Sequence, residues 1–200
     1  MKNKYFAAIL LAGTLALAMP VHSFAASLGL SIALPTLQAS ISSIDYLEFG
    51  PDGDLSTFGA GVDITDGVSP VGVTGLGFGI GFSLANPIIG ATGGFDVTDQ
   101  NGLFLTGNLI AVGFSDDVIE LQFGSLSGAG AGSFGSTVLA RLAFDDPLGP
   151  NPFISLVDGE FYSASITISN VSAVPLPAAL PLFLSAFIGF GWFGRRSRVK

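Results

Sequence analysis

Four aspartates in predicted turns are the side chains best suited to bind a metal ion. Asp52 and Asp54 flank a glycine, and Asp96 and Asp99 stand just before Asn101. Ca²⁺ takes about six to eight oxygen ligands at about 2.3–2.6 Å, and carboxylates supply such oxygens. The spacing does not fit an EF-hand loop, and aspartate is common in turns because its side chain accepts hydrogen bonds from nearby backbone. These aspartates are therefore candidate Ca²⁺ ligands, with turn stabilisation as the simpler alternative, and no other cofactor is predicted.

Glutamates raise a second chemical possibility, the hydrolysis of a glycosidic bond. Such enzymes place two carboxyl groups about 5–9.5 Å apart across a cleft. Glu48, Glu120 and Glu160 are available, but nothing in their spacing brings two of them together. The chain has no cysteine, and its one histidine, His22, lies near the N-terminus. A Ser-His-Asp triad and metal sites built from His or Cys are excluded from the rest of the chain, so the prediction is that the protein is not an enzyme.

The N-terminal residues are typical of a cleaved secretory signal peptide. Lys2 and Lys4 precede Tyr5–Met19, an uncharged and mostly apolar run. Small residues then occupy the positions that signal peptidase inspects, which predicts cleavage after Ala25 and makes 1–25 a leader. A permanent membrane anchor is the alternative, but the apolar run is short for a transmembrane span.

A second apolar segment lies near the C-terminus. Leu176–Gly194 contains no charged residue, and a helix of these nineteen residues would be about 28 Å long, close to the thickness of the hydrocarbon core. This predicts a single transmembrane helix over about 178–194, with a basic cytoplasmic tail over 195–200 and the preceding domain outside. A core helix of a globular domain is the alternative, although such a helix rarely ends in a cluster of cations. The predicted stop signal consists of Arg195, Arg196, Arg198 and Lys200.

A proline-containing motif leads into this apolar segment. Prolines resist helix, so the motif should be extended and accessible to a processing enzyme. With the apolar helix and the arginines behind it, the motif resembles the C-terminal sorting domain of PEP-CTERM proteins in its VPLPA variant, over residues 174–200. The motif consists of Val174, Pro175, Leu176, Pro177 and Ala178.

The resemblance implies a route out of the cell. PEP-CTERM proteins are exported across the inner membrane of Gram-negative bacteria, often in strains that make extracellular polysaccharide. The implied partners are signal peptidase and a membrane exosortase, which recognises residues 174–178 and cuts near the prolines. The C-terminal helix would anchor an inner-membrane intermediate, and the product would then reach the cell surface or the medium. Pro-Leu-Pro stands here where the class usually has Pro-Glu-Pro, which leaves the subtype of the sorting enzyme open.

Between the two ends, residues 26–173 are predicted to form one acidic, glycine-rich domain. All 15 acidic residues of the chain lie there and Arg141 is the only cation among them, so the domain has a net charge of −14. A surface of this charge repels phosphate, which excludes nucleic acid as a partner. The simplest role of the charge is solubility, and it also suits basic partners or divalent cations.

Alternation of apolar and polar residues predicts short β-strands throughout the domain. Asn101-Gly102 and Asp158-Gly159 are typical two-residue hairpin turns, and no soluble helix is predicted. The predicted fold class is all-β, an antiparallel β-sandwich or jelly roll followed by the C-terminal transmembrane helix. The main predicted strands are Leu28–Leu34, Ile44–Phe49, Gly61–Thr65, Val71–Phe82, Leu109–Phe114, Val118–Phe123, Thr137–Phe144, Phe153–Val157 and Phe161–Ser169.

These observations predict an exported cell-surface or extracellular-matrix protein with a structural or adhesive role. Two alternatives remain open for its β domain. One is a small secreted carbohydrate-binding module, stabilised by calcium in one version. The other is a carbohydrate-active enzyme, which a cleft with exposed aromatic residues and two close carboxylates would favour.

Overall fold

The computed structural model describes residues 27–72 and 74–173, and these residues form an all-β domain, as predicted. Alternating apolar residues and glycine-rich turns account for most of the strands. One short helix, α1 (Ala131–Phe134), and one 3₁₀ turn (Pro152–Ile154) complete the described part. The strands are β1 (Leu30–Phe49), β2 (Asp52–Gly61), β3 (Ile64–Asp66), β4 (Gly75–Ser83), β5 (Thr92–Asp99), β6 (Gly102–Ser115), β7 (Val118–Ser127), β8 (Thr137–Phe144) and β9 (Phe161–Ala173).

Eight of these strands close into an antiparallel barrel. The ladder runs β2-β4-β5-β6-β7-β8-β9-β1, and an additional pairing of β1 with β2 closes the ring. Strand β3 is outside the ring and pairs with the first half of β1. Closure leaves no open edge in the ring, which removes the row of unpaired backbone groups that makes an edge strand prone to aggregation.

The interior of the barrel is filled by alternate side chains of the strands. In β4 the inward residues Leu76, Phe78, Ile80 and Phe82 are buried. The residues that alternate with them and face outward are all glycine up to Gly81. An eight-stranded barrel has an interior just wide enough to be filled by side chains. Apolar burial of this kind, worth about 25 cal/mol per Å², is the main stabilising contribution in a chain without disulfides.

Aromatic residues outside the strands add to the core. Phe153, from the 3₁₀ turn, packs edge-on against Phe82 and Phe114, with ring centroids 4.9 and 6.0 Å apart. Phe134, at the end of α1, is fully buried in the same core. Both residues come from connections between strands, so the connections help to cover the barrel as well as to join it.

Strand β1 corrects the sequence prediction of two separate strands in this region. It is a single strand of 20 residues, and its pairing with β9 shifts register between Ala33 and Thr36 and again between Ala39 and Ser42. The first shift inserts two extra residues in β1, whereas the second inserts one and so reverses which face the following side chains occupy. The alternation that marks a strand in sequence is therefore interrupted, although the backbone ladder continues.

Other predictions need correction. The predicted sandwich or jelly roll is not confirmed, because the hydrogen-bonded ladder runs continuously around one ring. Phe153–Val157 is not a strand, since it lies in the 3₁₀ turn and the segment after it, and Asp158-Gly159 therefore does not join two paired strands. The last strand is not at an edge, since it pairs with β8 on one side and β1 on the other. Within the described residues, no helix has the length and apolar character needed to cross a membrane.

Candidate functional site

The structure does not bring the two pairs of predicted calcium ligands together. Asp52 and Asp54 lie on β2, while Asp96 and Asp99 lie on β5. Strand β4 lies between them, so the pairs are at least two strand spacings, about 9–10 Å, apart. In the described part of the chain, no group of three or more His, Cys, Asp or Glu residues is placed to hold a metal ion.

Several of the turn aspartates instead accept hydrogen bonds from backbone N–H groups. Asp99 accepts a hydrogen bond from the backbone N–H of Asn101 at 2.8 Å and another from the N–H of Val71 at 3.0 Å. Asp117 accepts one from the N–H of Gly149 at 2.7 Å. These contacts are the turn-stabilising alternative considered from the sequence, and they occupy both carboxylate oxygens of Asp99.

Asp54 lies in an electrostatically unfavourable position on the outer face of β2. Partial burial raises its pKa above the usual value, and the nearby carboxylate of Asp45 raises it further, although a hydrogen bond from Ser56 works in the opposite direction. Burial disfavours the charged form because it removes water, and a second negative charge adds repulsion. The ionised Asp54 carboxylate therefore costs the folded state free energy at neutral pH.

We expect Asp54→Asn to raise the Tm at pH 7 by about 1 °C, since a partly exposed charge is well screened. The folded pKa is raised above the unfolded value, so the penalty is present above the folded pKa and disappears as pH falls below the unfolded one. Thermal unfolding of both proteins should therefore differ at pH 7 and coincide by about pH 3. A stabilisation that is equally large at pH 3 would contradict an electrostatic cause.

Two of the three glutamates considered for catalysis are Glu48, near the end of β1, and Glu160, just before β9. Glu48 accepts a hydrogen bond from the Tyr46 hydroxyl at 2.9 Å, and its backbone N–H donates to Asp158 at 2.8 Å. Burial raises the pKa of Tyr46, and the hydrogen bond to Glu48 raises it further, so the phenol stays protonated and remains a donor. Glu160 is exposed in the turn before β9. These contacts tie the turn before β9 to the end of β1.

The third glutamate lies at the centre of a contact that we call the Glu120 clasp, made of Ser27, Leu28, Glu120 and Arg141. One carboxylate oxygen of Glu120 accepts hydrogen bonds from the Ser27 hydroxyl at 2.9 Å and the Leu28 N–H at 2.8 Å. The other oxygen is 3.6 Å from an Arg141 guanidinium nitrogen. The clasp therefore holds the segment that precedes β1 against β7 and β8.

The charge balance of the clasp depends on a single cation. The Glu120 side chain is 3% exposed, while that of Arg141 is 36% exposed. A carboxylate removed from water this completely needs a cation and hydrogen-bond donors, and Glu120 has both. Arg141 is the only Lys or Arg residue among those described, so no other side chain there can replace it. Its Nε atom is buried without a hydrogen-bond partner in the described part of the chain.

A surface cavity lies where the second bulge of β1 meets the start of β9. It has a volume of about 290 Å³, at the lower end of the usual range for small-ligand sites. We call it the bulge pocket. Its lining residues are Ile41, Ser42, Ser43, Phe161, Tyr162 and Ser163.

The bulge pocket combines apolar side chains with hydroxyl groups. Phe161 and Ile41 are 70% and 82% exposed, which is unusual for large apolar side chains that line the same cavity. Ser42 is 3% exposed, and its hydroxyl has no hydrogen-bond partner in the described structure. The Ser163 hydroxyl donates to the carboxylate of Asp145 beside the pocket. The pocket therefore offers an apolar surface, hydroxyl groups and a nearby negative charge.

A second cavity of about 310 Å³ lies on the outer face near the β4–β5 connection. Asp52 is the only carboxylate among the lining residues of the two cavities. Neither lining therefore contains the pair of facing carboxylates used in glycoside hydrolysis. The lining residues of this second cavity are Asp52, Gly81, Phe82, Ser83, Ile89, Gly90 and Thr92.

The predicted processing residues lie outside the described residues. These are the cleavage point Ala25, the motif 174–178 and the basic residues of 195–200. Comparison with protein-family models, with curated proteins and with solved structures found no match to this chain. We therefore infer the function from the geometry of the barrel and the sequence of its two ends.

Sequence reasoning did not single out the bulge pocket or the Glu120 clasp. One signal for the pocket was available: Phe161 is an apolar residue in the polar phase of its strand, where the following members are serine and threonine. The clasp had no such signal, because Ser27 and Glu120 are 93 residues apart in sequence. Only the closure of the barrel brings such residues together.

Proposed function

We propose that the chain is an exported cell-surface or extracellular-matrix protein whose barrel serves a structural or adhesive role rather than catalysis. In this proposal, residues 1–25 are a signal peptide and residues 174–178 are recognised by an exosortase of the PEP-CTERM system. A transmembrane helix over about 178–194 holds the intermediate in the inner membrane until the chain is cut.

The position of the barrel in the sequence is the observation that supports this proposal most. The first strand begins at Leu30, five residues after the predicted leader cut, and the last strand ends at Ala173, one residue before the motif. Leu30 and Ala173 are paired in the β1–β9 ladder. Cuts at both predicted points would therefore remove none of the strand pairing that forms the barrel.

The charge of the barrel supports an extracellular role without nucleic acid or anionic lipid as partner. Residues 26–173 have a net charge of −14, because 15 acidic residues are balanced by Arg141 alone. Anionic surfaces repel such a domain, whereas neutral or cationic partners do not. Exposed aromatic side chains, such as Phe161, are available for contact with a neutral or cationic matrix component such as polysaccharide.

The experiment that tests this function follows the size and location of the protein in a bacterium that has an exosortase. We expect the native protein to be shortened at both ends and to accumulate at the surface or in the medium. The double substitution Arg195→Ala and Arg196→Ala should reduce the trimmed, released form about tenfold or more, because the basic residues stop translocation of the helix. Immunoblots of cytosol, inner membrane and extracellular fractions measure this.

A matched control is the substitution of Asp146, an exposed carboxylate of the barrel domain, by alanine. It changes the charge of the barrel without changing the tail, so the variant should be sorted normally. Native protein that stays in the inner membrane at full length, or a tail variant that is sorted as efficiently as the native protein, would contradict the proposal.

A further inference from the structure

We propose that the bulge pocket binds one sugar ring of a polysaccharide whose sugars carry free amino groups. This inference rests on the proposed function, because it names the chemical class of matrix component that the barrel would contact. Its starting point is the geometry of the pocket, which does not depend on how the chain is sorted.

The apolar side of the pocket suits the flat face of a sugar ring. Phe161 is exposed and lines the pocket together with Ile41, which the bulge turns outward. Phe161 has no ring-stacking partner in the described structure, whereas Tyr162 beside it packs edge-on against Phe144. An exposed ring of this kind is a contact surface for C–H groups and, through its negative face, for a cation.

The polar side of the pocket suits hydroxyl groups. Ser43 and Ser163 form a cross-strand pair between β1 and β9, and both line the pocket. Ser42, by contrast, is the cross-strand partner of the core residue Ala164, and its hydroxyl is buried away from the surface. A hydroxyl both donates and accepts hydrogen bonds, so Ser43 and Ser163 can match the mixed donors and acceptors of a sugar.

Negative charge around the pocket selects among sugars. Asp45 is the cross-strand partner of Phe161, so their Cβ atoms are about 4.5–5.5 Å apart. Asp145 accepts a hydrogen bond from the Ser163 hydroxyl, and Glu160 immediately precedes Phe161. The ion pair described in the barrel uses Arg141 and Glu120, so no cation of the described residues pairs with Asp45. An ammonium group between Asp45 and the Phe161 ring would be attracted by both.

The same charge argues against other occupants. Two barrels of net charge −14 repel each other, and polysaccharides made of uronic acids or membranes of anionic lipids carry the same sign as the pocket. A lysine-rich peptide has the right sign, but it lacks the ring of hydroxyl groups that Ser43 and Ser163 would bind. The combination of apolar face, hydroxyl groups and carboxylates therefore favours an amine-bearing glycan.

The test uses the full-length chain, purified in a nonionic detergent, and isothermal titration with four probes at low ionic strength. The probes are a glucosamine hexasaccharide, its fully N-acetylated form, a uronic acid hexasaccharide and hexalysine. We expect the glucosamine oligomer to bind most tightly. Phe161→Ala should weaken its binding about tenfold, a change that corresponds to loss of one aromatic contact. Asp45→Asn should reduce the preference for free amine over N-acetyl.

Phe49→Ala is the matched control, since Phe49 is 64% exposed on β1 but does not line the pocket. All three variants change partly or largely exposed side chains, and equal Tm values would show that the fold is intact. Binding of the uronic acid oligomer as tight as that of the glucosamine oligomer, or equal loss of binding in Phe161→Ala and Phe49→Ala, would overturn the proposal. Hexalysine binding with the same sensitivity to Phe161→Ala would overturn it in favour of a basic peptide. Because the purified chain is used, a failure of sorting in cells would leave this result unaffected.

Discussion

Gly93→Ala is expected to destabilise the barrel by at least about 3 kcal/mol, and the variant is expected to accumulate unfolded. Gly93 lies on β5 with a φ of +147°, a backbone conformation that other residues rarely adopt. A Cβ atom there would be 2.1 Å from the carbonyl oxygen of Gly79 and 2.8 Å from the Cα of Ile80. Backbone atoms cannot move aside as a flexible side chain can, so β4 and β5 would have to separate. Urea unfolding of the purified protein measures the loss.

Gly79→Ala is the matched control on the opposing strand. A Cβ atom at Gly79 would meet nothing within 4 Å, and its φ is not in the positive range. Alanine in a strand is no worse than glycine, so the free energy of unfolding should change by less than about 1 kcal/mol. Equal destabilisation by the two substitutions would show that the β4–β5 contact is not as close as described.

Glu120→Ala is expected to lower the free energy of unfolding by about 2–4 kcal/mol. The substitution removes two hydrogen bonds from Ser27 and Leu28 and the ion pair with Arg141. It leaves the Leu28 backbone N–H without an acceptor and the Arg141 guanidinium without its carboxylate, although the partly exposed Arg141 can turn toward water and limit the loss. Amide exchange at Leu28 and Gly29 should increase more than exchange in the barrel strands, because the segment before β1 loses its attachment.

Glu120→Gln separates the charge from the hydrogen bonds. Glutamine retains one carbonyl oxygen that can accept from the Leu28 N–H, so protection of that amide should largely remain. The ion pair with Arg141 is lost, and the destabilisation should be about half that of Glu120→Ala. If both variants unfold at the same urea concentration as the native protein, the clasp does not stabilise the fold.

Much of the strand content follows from alternation, since the side chains of a strand alternate between two faces. Val118–Phe123, Thr137–Phe144 and Phe161–Ser169 each lie within an observed strand, and most of their apolar residues are buried as the pattern predicts, with Phe161 as the exposed exception. Closure into a barrel could not be predicted from the alternation, because it depends on the pairing of β1 with β9, which joins residues more than 100 positions apart. Local patterns contain no information on which distant strands pair.

Two local errors have identifiable causes. Phe153–Val157 is apolar enough to be a strand, but Pro152 opens a 3₁₀ turn and the Asn151 side chain accepts a hydrogen bond from the Phe153 N–H at 3.2 Å. The prediction that the domain has no soluble helix missed α1, a single helical turn whose Phe134 is fully buried. In both cases tertiary burial of one phenylalanine decides the local conformation.

The candidate sites also depend on strand pairing that the local sequence does not predict. The calcium candidates Asp52, Asp54, Asp96 and Asp99 were found by residue type, but β4 separates them into two pairs. The bulge pocket exists because a register shift in β1 places Ile41 outward beside Phe161. A bulge of this kind depends on pairing with β9, so the sequence alone does not predict which side chains share the cavity.

We propose that the barrel is released from a longer precursor by cuts on either side of its paired ends. Intact-mass measurement of the protein recovered from the cell surface or medium tests this directly. We expect a chain that begins at Ala26, give or take a residue, and ends within or beside 174–178. Recovery of the whole 200-residue chain in soluble form from the cytosol, with neither end removed, would contradict it.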